Sequence, residues 1–270
     1  MRATTSTATL STGLTLSYAD QGDRCGPVLV LLPGPTDSWR SYEPVLDAIP
    51  LSIRTVAVSQ RGHGDSDKPV TGFGVEDFAA DVVPLLDALG IERSVLAGHS
   101  GSCLVARRVA IDRPERIVGL VLEASPTTLL GHAGLEAFVE SVVSGLQDPI
   151  DRSFARSFAV ETSSEHVAAP MLDRLVDELL KVPARVWREM FTGLLHYDDV
   201  SELGRVAAPT MLIWGDADDL VTREMQEQLV RCIPGGQLVV YAGVGHTPRW
   251  EDASRFASDV ATFVERWVLA

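Results

Sequence analysis

The 270-residue sequence predicts an α/β protein in which a mostly parallel, doubly wound sheet carries an inserted helical lid. Short runs of continuous apolar residues, typical of strands buried on both faces, alternate with segments of helical periodicity. Such alternation implies a parallel sheet with helices on both of its faces. Residues 125–204 lack any buried-strand run and show amphipathic helical segments instead, which indicates an insertion.

The first half of the chain supplies six of the predicted strands. Residues 7–10 and 14–18 flank a Ser-Thr-Gly turn and are predicted to form a β-hairpin. Apolar runs predict four buried strands, at residues 28–32, 54–58, 94–97 and 117–122. Helical periodicity lies between these runs, over residues 39–49, 75–89 and 101–111.

The second half begins with the helical insertion. Its amphipathic segments lie near residues 135–146, 151–158, 171–181 and 184–196. Strands return at residues 210–214 and 237–241, and helices are predicted at residues 223–232 and 254–268. We therefore expect a core made of residues 1–124 and 205–270, and a lid made of residues 125–204.

Composition and charge narrow the function classes. The formal net charge of −14 at pH 7 argues against nucleic acid and anionic membrane surfaces as partners. No apolar run reaches the roughly 18 residues of a transmembrane helix, and the polar start lacks the apolar segment of a signal peptide. Three scattered cysteines, Cys25, Cys103 and Cys232, indicate reduced thiols. We therefore expect a cytoplasmic protein, and no motif indicates a metal or another cofactor.

A serine follows the third buried strand in the pattern Gly98-His99-Ser100-Gly101-Ser102. This pattern is close to the nucleophile elbow G-x-S-x-G, with Ser102 in place of the last glycine. An elbow needs small residues at Gly98 and Ser102, because the turn is sharp and a bulky side chain would clash with the strand or helix beside it. The pattern predicts that the hydroxyl of Ser100 is exposed at the edge of the sheet.

A serine nucleophile needs a base, and the base needs an acid to orient it. Asp218 follows one of the later strands, and His246 follows the last strand. Because the carboxyl ends of parallel strands meet at one edge of a sheet, Ser100, Asp218 and His246 are expected to converge there.

Five segments in this order resemble the α/β-hydrolase fold family, and the resemblance covers nearly the whole chain. By resemblance, Ser100 is the nucleophile, His246 the general base and then acid, and Asp218 the residue that orients His246. Asp216 and Asp219 share the Asp218 loop, and Glu123 is an alternative acid because some members of the fold take the acid from that strand end. The five segments are Leu31-Leu32-Pro33-Gly34, residues 60–69, the elbow, residues 209–218 and Gly245-His246.

The oxyanion hole departs from the family pattern. The backbone N–H of Gly101 is expected to be one donor. The family commonly has His-Gly in the loop after the early strand, and the residue after this glycine gives the second donor. Here Pro33 replaces the histidine and Pro35 stands at the donor position, where proline has no N–H. Thr36 is one candidate for the missing donor, through its backbone N–H or its hydroxyl. Alternatively, the site supports weaker acyl chemistry, or a reaction that does not need two donors. A further alternative is that both prolines only stiffen a surface loop and that the family register assigned to the loop is wrong by one residue.

The leading hypothesis is a serine hydrolase that cleaves a small-to-medium apolar carboxylic ester or lactone through an acyl-enzyme. Rival functions on the same fold are a C–C hydrolase and a cofactor-free lyase, oxygenase or biosynthetic cyclase. A non-catalytic ligand-binding protein is the rival from another class. The sequence leaves the oligomeric state open. The predicted lining of the substrate pocket comprises Trp39, Phe154, Phe158, Trp187, Phe191 and Trp250.

Overall fold

A computed structural model of the protein describes residues 3–163 and 167–268. Within this part of the chain, eight strands form one sheet in the order β1-β2-β4-β3-β5-β6-β7-β8. β2 pairs antiparallel with both β1 and β4, and the remaining neighbours are parallel, which confirms the predicted class. The strands are β1 Thr4–Thr9, β2 Thr15–Gln21, β3 Val28–Leu32, β4 Arg54–Val58, β5 Ser94–His99, β6 Ile117–Glu123, β7 Thr210–Gly215 and β8 Gln237–Tyr241.

Helices cover both faces of the sheet. Successive side chains of a strand point to opposite faces, so Leu29 and Leu31 pack in one apolar core, while Val30 and Leu32 pack in the other. The helices are α1 Glu43–Ala48, α2 Val75–Ala88, α3 Ser102–Asp112, α4 Ala133–Ser141, α5 Arg152–Glu161, α6 Ala169–Leu179, α7 Ala184–His196, α8 Arg223–Cys232, α9 Pro248–Glu251 and α10 Ala253–Val268.

Two predicted helices differ from the observed ones by more than three residues at one end. The helix expected over residues 39–49 is a 3₁₀ turn, Trp39–Tyr42, followed by α1. Pro44 lies in the first turn of α1, where its missing N–H costs no helical hydrogen bond, so α1 begins just before it. The helix expected over residues 135–146 ends as α4 at Ser141, because Val142 leaves helical geometry, with φ −121° and ψ −62°.

The segment between β6 and β7 is helical, as predicted, and holds α4 to α7. Its helices are joined by an aromatic cluster in which Phe158 contacts Trp187 with ring centroids 4.9 Å apart. Phe138 packs against Phe158 at 5.9 Å and Phe191 at 5.6 Å. None of the described helices combines the length and apolarity that crossing a membrane requires.

Candidate active site

Ser100 lies on the turn between β5 and α3, in the left-handed backbone region with φ 53°. A non-glycine residue rarely adopts this conformation, and it is typical of a strained functional turn. A side chain at Gly98 would be impossible here, because a Cβ would lie 2.6 Å from the carbonyl oxygen of Ser102. The backbone N–H of Ser100 donates to the carbonyl oxygen of Glu123 at 2.9 Å, which fixes the turn against β6. The local geometry is therefore that of the predicted elbow.

Asp218 and His246 converge on Ser100. His246 Nδ1 lies 2.8 Å from Asp218 Oδ2, and His246 Nε2 lies 3.0 Å from Ser100 Oγ. Because the carboxylate only accepts, the imidazole proton belongs on Nδ1, and this leaves Nε2 free to accept from the serine hydroxyl. Asp218 Oδ1 accepts from the backbone N–H groups of Leu220 and Val221 at 2.8 and 3.0 Å. The three side chains thus form one continuous hydrogen-bonded series.

Glu123 does not contact His246 through a hydrogen bond. Its Oε1 accepts from the backbone N–H of Arg249 at 2.9 Å, and its side chain is fully buried. The structure therefore brings Asp218, and not the alternative acid Glu123, to the imidazole. Asp216 is also engaged elsewhere, since its Oδ1 accepts from the N–H of Gly243 at 2.6 Å.

One predicted oxyanion donor is free and the other is not. The N–H of Gly101 makes no hydrogen bond within the described residues, and the ring of Pro35 lies so near that a Cβ at Gly101 would meet its Cγ at 2.8 Å. The N–H of Thr36 donates to His63 Nε2 at 3.2 Å, and its hydroxyl donates to the carbonyl oxygen of Pro35. Thr36, which the sequence offers as one alternative for the second donor, therefore has both of its donors engaged in this structure, one by His63 in the loop after β4 and one by Pro35.

Thr36 is held in an unusual conformation by His63. Thr36 has φ 71°, and for a β-branched residue this left-handed geometry costs about 1–3 kcal/mol. His63 Nδ1 donates to the carbonyl oxygen of Arg61 at 2.8 Å, so Nε2 is the acceptor for Thr36. Burial lowers the pKa of His63 to about 4, which keeps the imidazole neutral and able to accept. The loop is thus fixed in a form in which His63 engages the N–H of Thr36.

A cavity of about 480 Å³ opens beside Ser100 and His246. Of the predicted lining residues, Phe158, Phe191 and Trp250 contact it. Trp39, Phe154 and Trp187 do not line it: Trp187 is fully buried among the insertion's own aromatic rings, and Trp39 stacks under the Arg40 guanidinium. The apolar wall of the cavity includes Pro126, Leu129, Leu135, Phe138, Phe158, Leu175, Leu179, Phe191, Leu194, Leu220 and Val221.

The charged groups around the cavity are acidic. Asp37, Glu161 and Asp219 contact it, and among the described residues no lysine or arginine does. His99 also lines it, but burial, with nearby Arg249 and His246, lowers the pKa of His99 well below its usual value, so that imidazole is uncharged. Within the same part of the chain, no group of three His, Cys, Asp or Glu side chains is placed to hold a metal ion.

Comparison with known proteins identifies the fold family. Residues 27–253 match the family model described as the alpha/beta hydrolase fold. The chain belongs to the α/β-hydrolase fold family. Family members differ widely in their reactions, so the match alone does not define the substrate.

Three proteins similar to this α/β-hydrolase have the names of different hydrolases. It is 26% identical to 3-oxoadipate enol-lactonase 1 of Acinetobacter baylyi, over 82% of this chain and 83% of that protein. It is 28% identical to the 2-hydroxy-6-oxononadienedioate/2-hydroxy-6-oxononatrienedioate hydrolase of Burkholderia vietnamiensis, over 94% and 92% of the two chains. A solved esterase structure from a Rhodococcus species superposes with TM-score 0.83 at 25% identity, covering 97% and 99%.

Sequence reasoning missed several residues of this α/β-hydrolase site. Phe138 lines the cavity from α4, and the apolar face of that helix was a signal for it. Asp37 lines the cavity and accepts from Arg249. The available signal was that both are charged residues close to motifs of the site, since Asp37 follows Thr36 and Arg249 follows the His246 segment. The sequence indicates only that Ser102 must be small. In the structure its hydroxyl also donates to the carbonyl oxygen of Pro33 at 2.6 Å.

Proposed function

We propose that this protein hydrolyses uncharged carboxylic esters or lactones through an acyl-enzyme on Ser100. The observation that carries the proposal is the series Asp218, His246 and Ser100, with contacts of 2.8 and 3.0 Å. Serine at neutral pH is a weak nucleophile, and a base at hydrogen-bonding distance is what activates it.

In the first half of the reaction, Ser100 Oγ attacks the substrate carbonyl carbon while its proton moves to His246 Nε2. The free N–H of Gly101 donates to the oxyanion of the tetrahedral intermediate. His246 then returns the proton to the leaving alkoxide, and the carbon–oxygen bond of the ester breaks. Asp218 stabilises the imidazolium and holds the ring in the required tautomer.

In the second half, a water molecule gives a proton to His246 Nε2 and attacks the acyl carbon. The intermediate collapses, the proton returns to Ser100 Oγ, and the carboxylic acid leaves. In a lactone the leaving alkoxide and the acid belong to one molecule, so the same steps open a ring.

We further propose that residues 125–204 act as a lid over a core of residues 1–124 and 205–270. The cavity wall supports this division, because Phe138, Phe158 and Phe191 reach it from the insertion, while Ser100 and His246 reach it from the core. A lid of this kind would exclude water from the acyl group and set the size of acyl chain that fits.

The charge of the cavity supports an uncharged substrate. A carboxylate moved into an apolar cavity without a cationic partner loses several kcal/mol of hydration. The described lining includes acidic side chains but no lysine or arginine that could pair with it. The names of the two relatives above specify an adipate and a dioate, and we infer that substrates with such free carboxylates do not suit this protein.

Covalent labelling tests the nucleophile. A fluorophosphonate probe should label the wild-type protein, and Ser100→Ala should lose the label, because the probe reacts with a serine only where a base activates it. Ser141→Ala on the exposed side of α4 is a matched serine control and should label like the wild type. Folded wild-type protein that stays unlabelled would contradict the proposal.

Two substrates of equal length test the charge preference. We expect kcat/KM for the mono-nitrophenyl ester of adipic acid to be at least about tenfold lower than for nitrophenyl hexanoate, because the terminal carboxylate gains no cationic partner in the cavity. The measurement is initial rates of nitrophenol release at pH 8. Equal values for the two esters would overturn the preference while leaving the serine mechanism intact.

A further inference from the structure

A buried cluster of charged side chains lies directly behind the proposed site. It consists of Arg249, Asp37 and Glu123, and we call it the Arg249 cluster. Arg249 Nη2 donates to Asp37 Oδ2 at 2.8 Å, the Arg249 backbone N–H donates to Glu123 Oε1 at 2.9 Å, and Nη1 lies 3.5 Å from Glu123 Oε2. Arg249 and Glu123 have no exposed surface, and Asp37 is only 9% exposed.

The cluster joins the three chain segments that carry the proposed chemistry. Arg249 lies in α9, three residues after His246. Asp37 is in the loop after β3, next to Thr36 and two residues after Pro35. Glu123 ends β6, and its carbonyl oxygen accepts from the N–H of Ser100 at 2.9 Å. Arg249 therefore links the imidazole loop to the oxyanion loop through its guanidinium, and to the strand behind the elbow through its backbone N–H.

Two aromatic side chains lie close to the guanidinium. The Arg249 guanidinium carbon lies 4.2 Å from the ring centroid of Trp250 and 5.5 Å from that of Tyr42. The Trp250 indole N–H donates to the carbonyl oxygen of Ser41 at 2.6 Å, and the Tyr42 hydroxyl donates to that of Leu32 at 3.1 Å. Both rings are thus tied to β3 and its following loop, so the guanidinium has little freedom to move.

A stabilising role alone does not explain such a cluster. Buried ion pairs lose so much hydration that well-packed apolar side chains often replace them without loss of stability. Burial raises the pKa of Asp37 to about 6 against the opposing effect of Arg249, and burial also raises that of Glu123. The nearby His246 lowers the pKa of both carboxyls, so the cluster lies within electrostatic reach of the imidazole.

We propose that the Arg249 cluster is a positioning device that holds the oxyanion loop and His246 in register with Ser100. Arg249 touches neither substrate nor reacting atoms and acts through the loops that it joins. The expected effect on kcat rests on the proposed function, whereas the claim that the cluster holds the loops in place does not depend on it. Loss of the cluster should therefore misplace groups that are needed in the transition state more than groups that bind the substrate.

The test compares Arg249 with a second buried arginine. Arg54 is 5% exposed and its Nη2 contacts Asp20 Oδ2 at 2.9 Å, but it begins β4 and so lies at the opposite edge of the sheet from Ser100. We expect Arg249→Ala to lower kcat about 10²-fold, as a displacement near 1 Å can do, and to change KM less than about threefold. Millimolar guanidinium should restore part of that loss. Arg54→Ala should keep kcat close to the wild-type value and show no response to guanidinium.

A milder variant and a second measurement keep the proposal testable if Arg249→Ala folds poorly. Asp37→Asn keeps the shape of the side chain and should also lower kcat with KM nearly unchanged. The proton NMR resonance of His246 Nδ1–H reports its hydrogen bond to Asp218 without any turnover, and it should shift in both cluster variants but not in Arg54→Ala. Unchanged resonances, or equal kcat in Arg249→Ala and Arg54→Ala, would overturn the positioning role. Absence of fluorophosphonate labelling in wild type would instead overturn the proposed function, and the resonance would still test the cluster.

Discussion

Replacing Asp218 by asparagine should lower kcat for a nitrophenyl ester about 10⁴-fold while the protein stays folded. Asp218 Oδ2 accepts from His246 Nδ1 at 2.8 Å. An asparagine amide can turn its NH₂ toward Nδ1 and so stabilise the tautomer that carries the proton on Nε2. In that tautomer His246 cannot accept the proton of Ser100. Initial rates and the rate of fluorophosphonate labelling should both fall, and the thermal unfolding midpoint should show that the variant is folded.

Glu123→Gln is the matched comparison, since it makes the same change at the alternative acid. Glutamine keeps an oxygen that can accept from the Arg249 N–H, which Glu123 now does at 2.9 Å. We expect a loss of kcat within about tenfold, because this side chain acts on His246 only at a distance. Loss of turnover in Glu123→Gln with activity retained in Asp218→Asn would mean that the acid is assigned wrongly.

The fold was predictable because its signals are local. A strand buried on both faces of a parallel sheet is typically a short continuous apolar run, and Val28–Leu32 can be recognised without knowing its neighbours. Convergence of Ser100, Asp218 and His246 was predictable for the same reason, since each follows a strand and parallel strands end at one edge. Helix ends were less predictable where the backbone geometry of one residue decides them, as Val142 does at the end of α4.

The lining of the substrate pocket was less predictable, because contacts between segments distant in sequence decide which side chains face the cavity. Trp187 and Phe191 are one helical turn apart on α7, yet Trp187 is enclosed by Phe154 and Phe158 while Phe191 also reaches the cavity. Helical spacing places both on one face but does not say which of them a neighbouring helix covers. Phe138 was missed for the same reason.

The loop after β3 shows why a motif departure needs a structure. The sequence places prolines at positions 33 and 35 and leaves Thr36 as a possible donor. His63, 27 residues further along the chain, accepts from the Thr36 N–H, and no local pattern predicts that contact. Thr36 is engaged and Pro35 has no N–H, whereas the N–H of Gly101, the residue after Ser100, makes no hydrogen bond in the described chain.

Replacing Pro35 by alanine should therefore raise kcat for a nitrophenyl ester at least about tenfold, because it restores an N–H at the family's second donor position. One oxyanion donor is worth about 10²–10³ in rate where it is fully preorganised, and a more flexible loop would realise only part of that. The measurement is kcat and KM of the purified variant beside its thermal unfolding midpoint.

Pro33→Ala is the control, since it adds an N–H to the same loop at the position where the family commonly has histidine and not at the donor position. It should give no gain in kcat. A Pro35→Ala variant that folds normally and shows unchanged or lower kcat would mean that the missing N–H does not limit the reaction. The acyl chemistry would then depend on Gly101 together with the positive end of α3, whose first residue, Ser102, directly follows it. A gain confined to Pro35→Ala would instead identify this proline as the residue that limits the rate of the proposed ester hydrolysis.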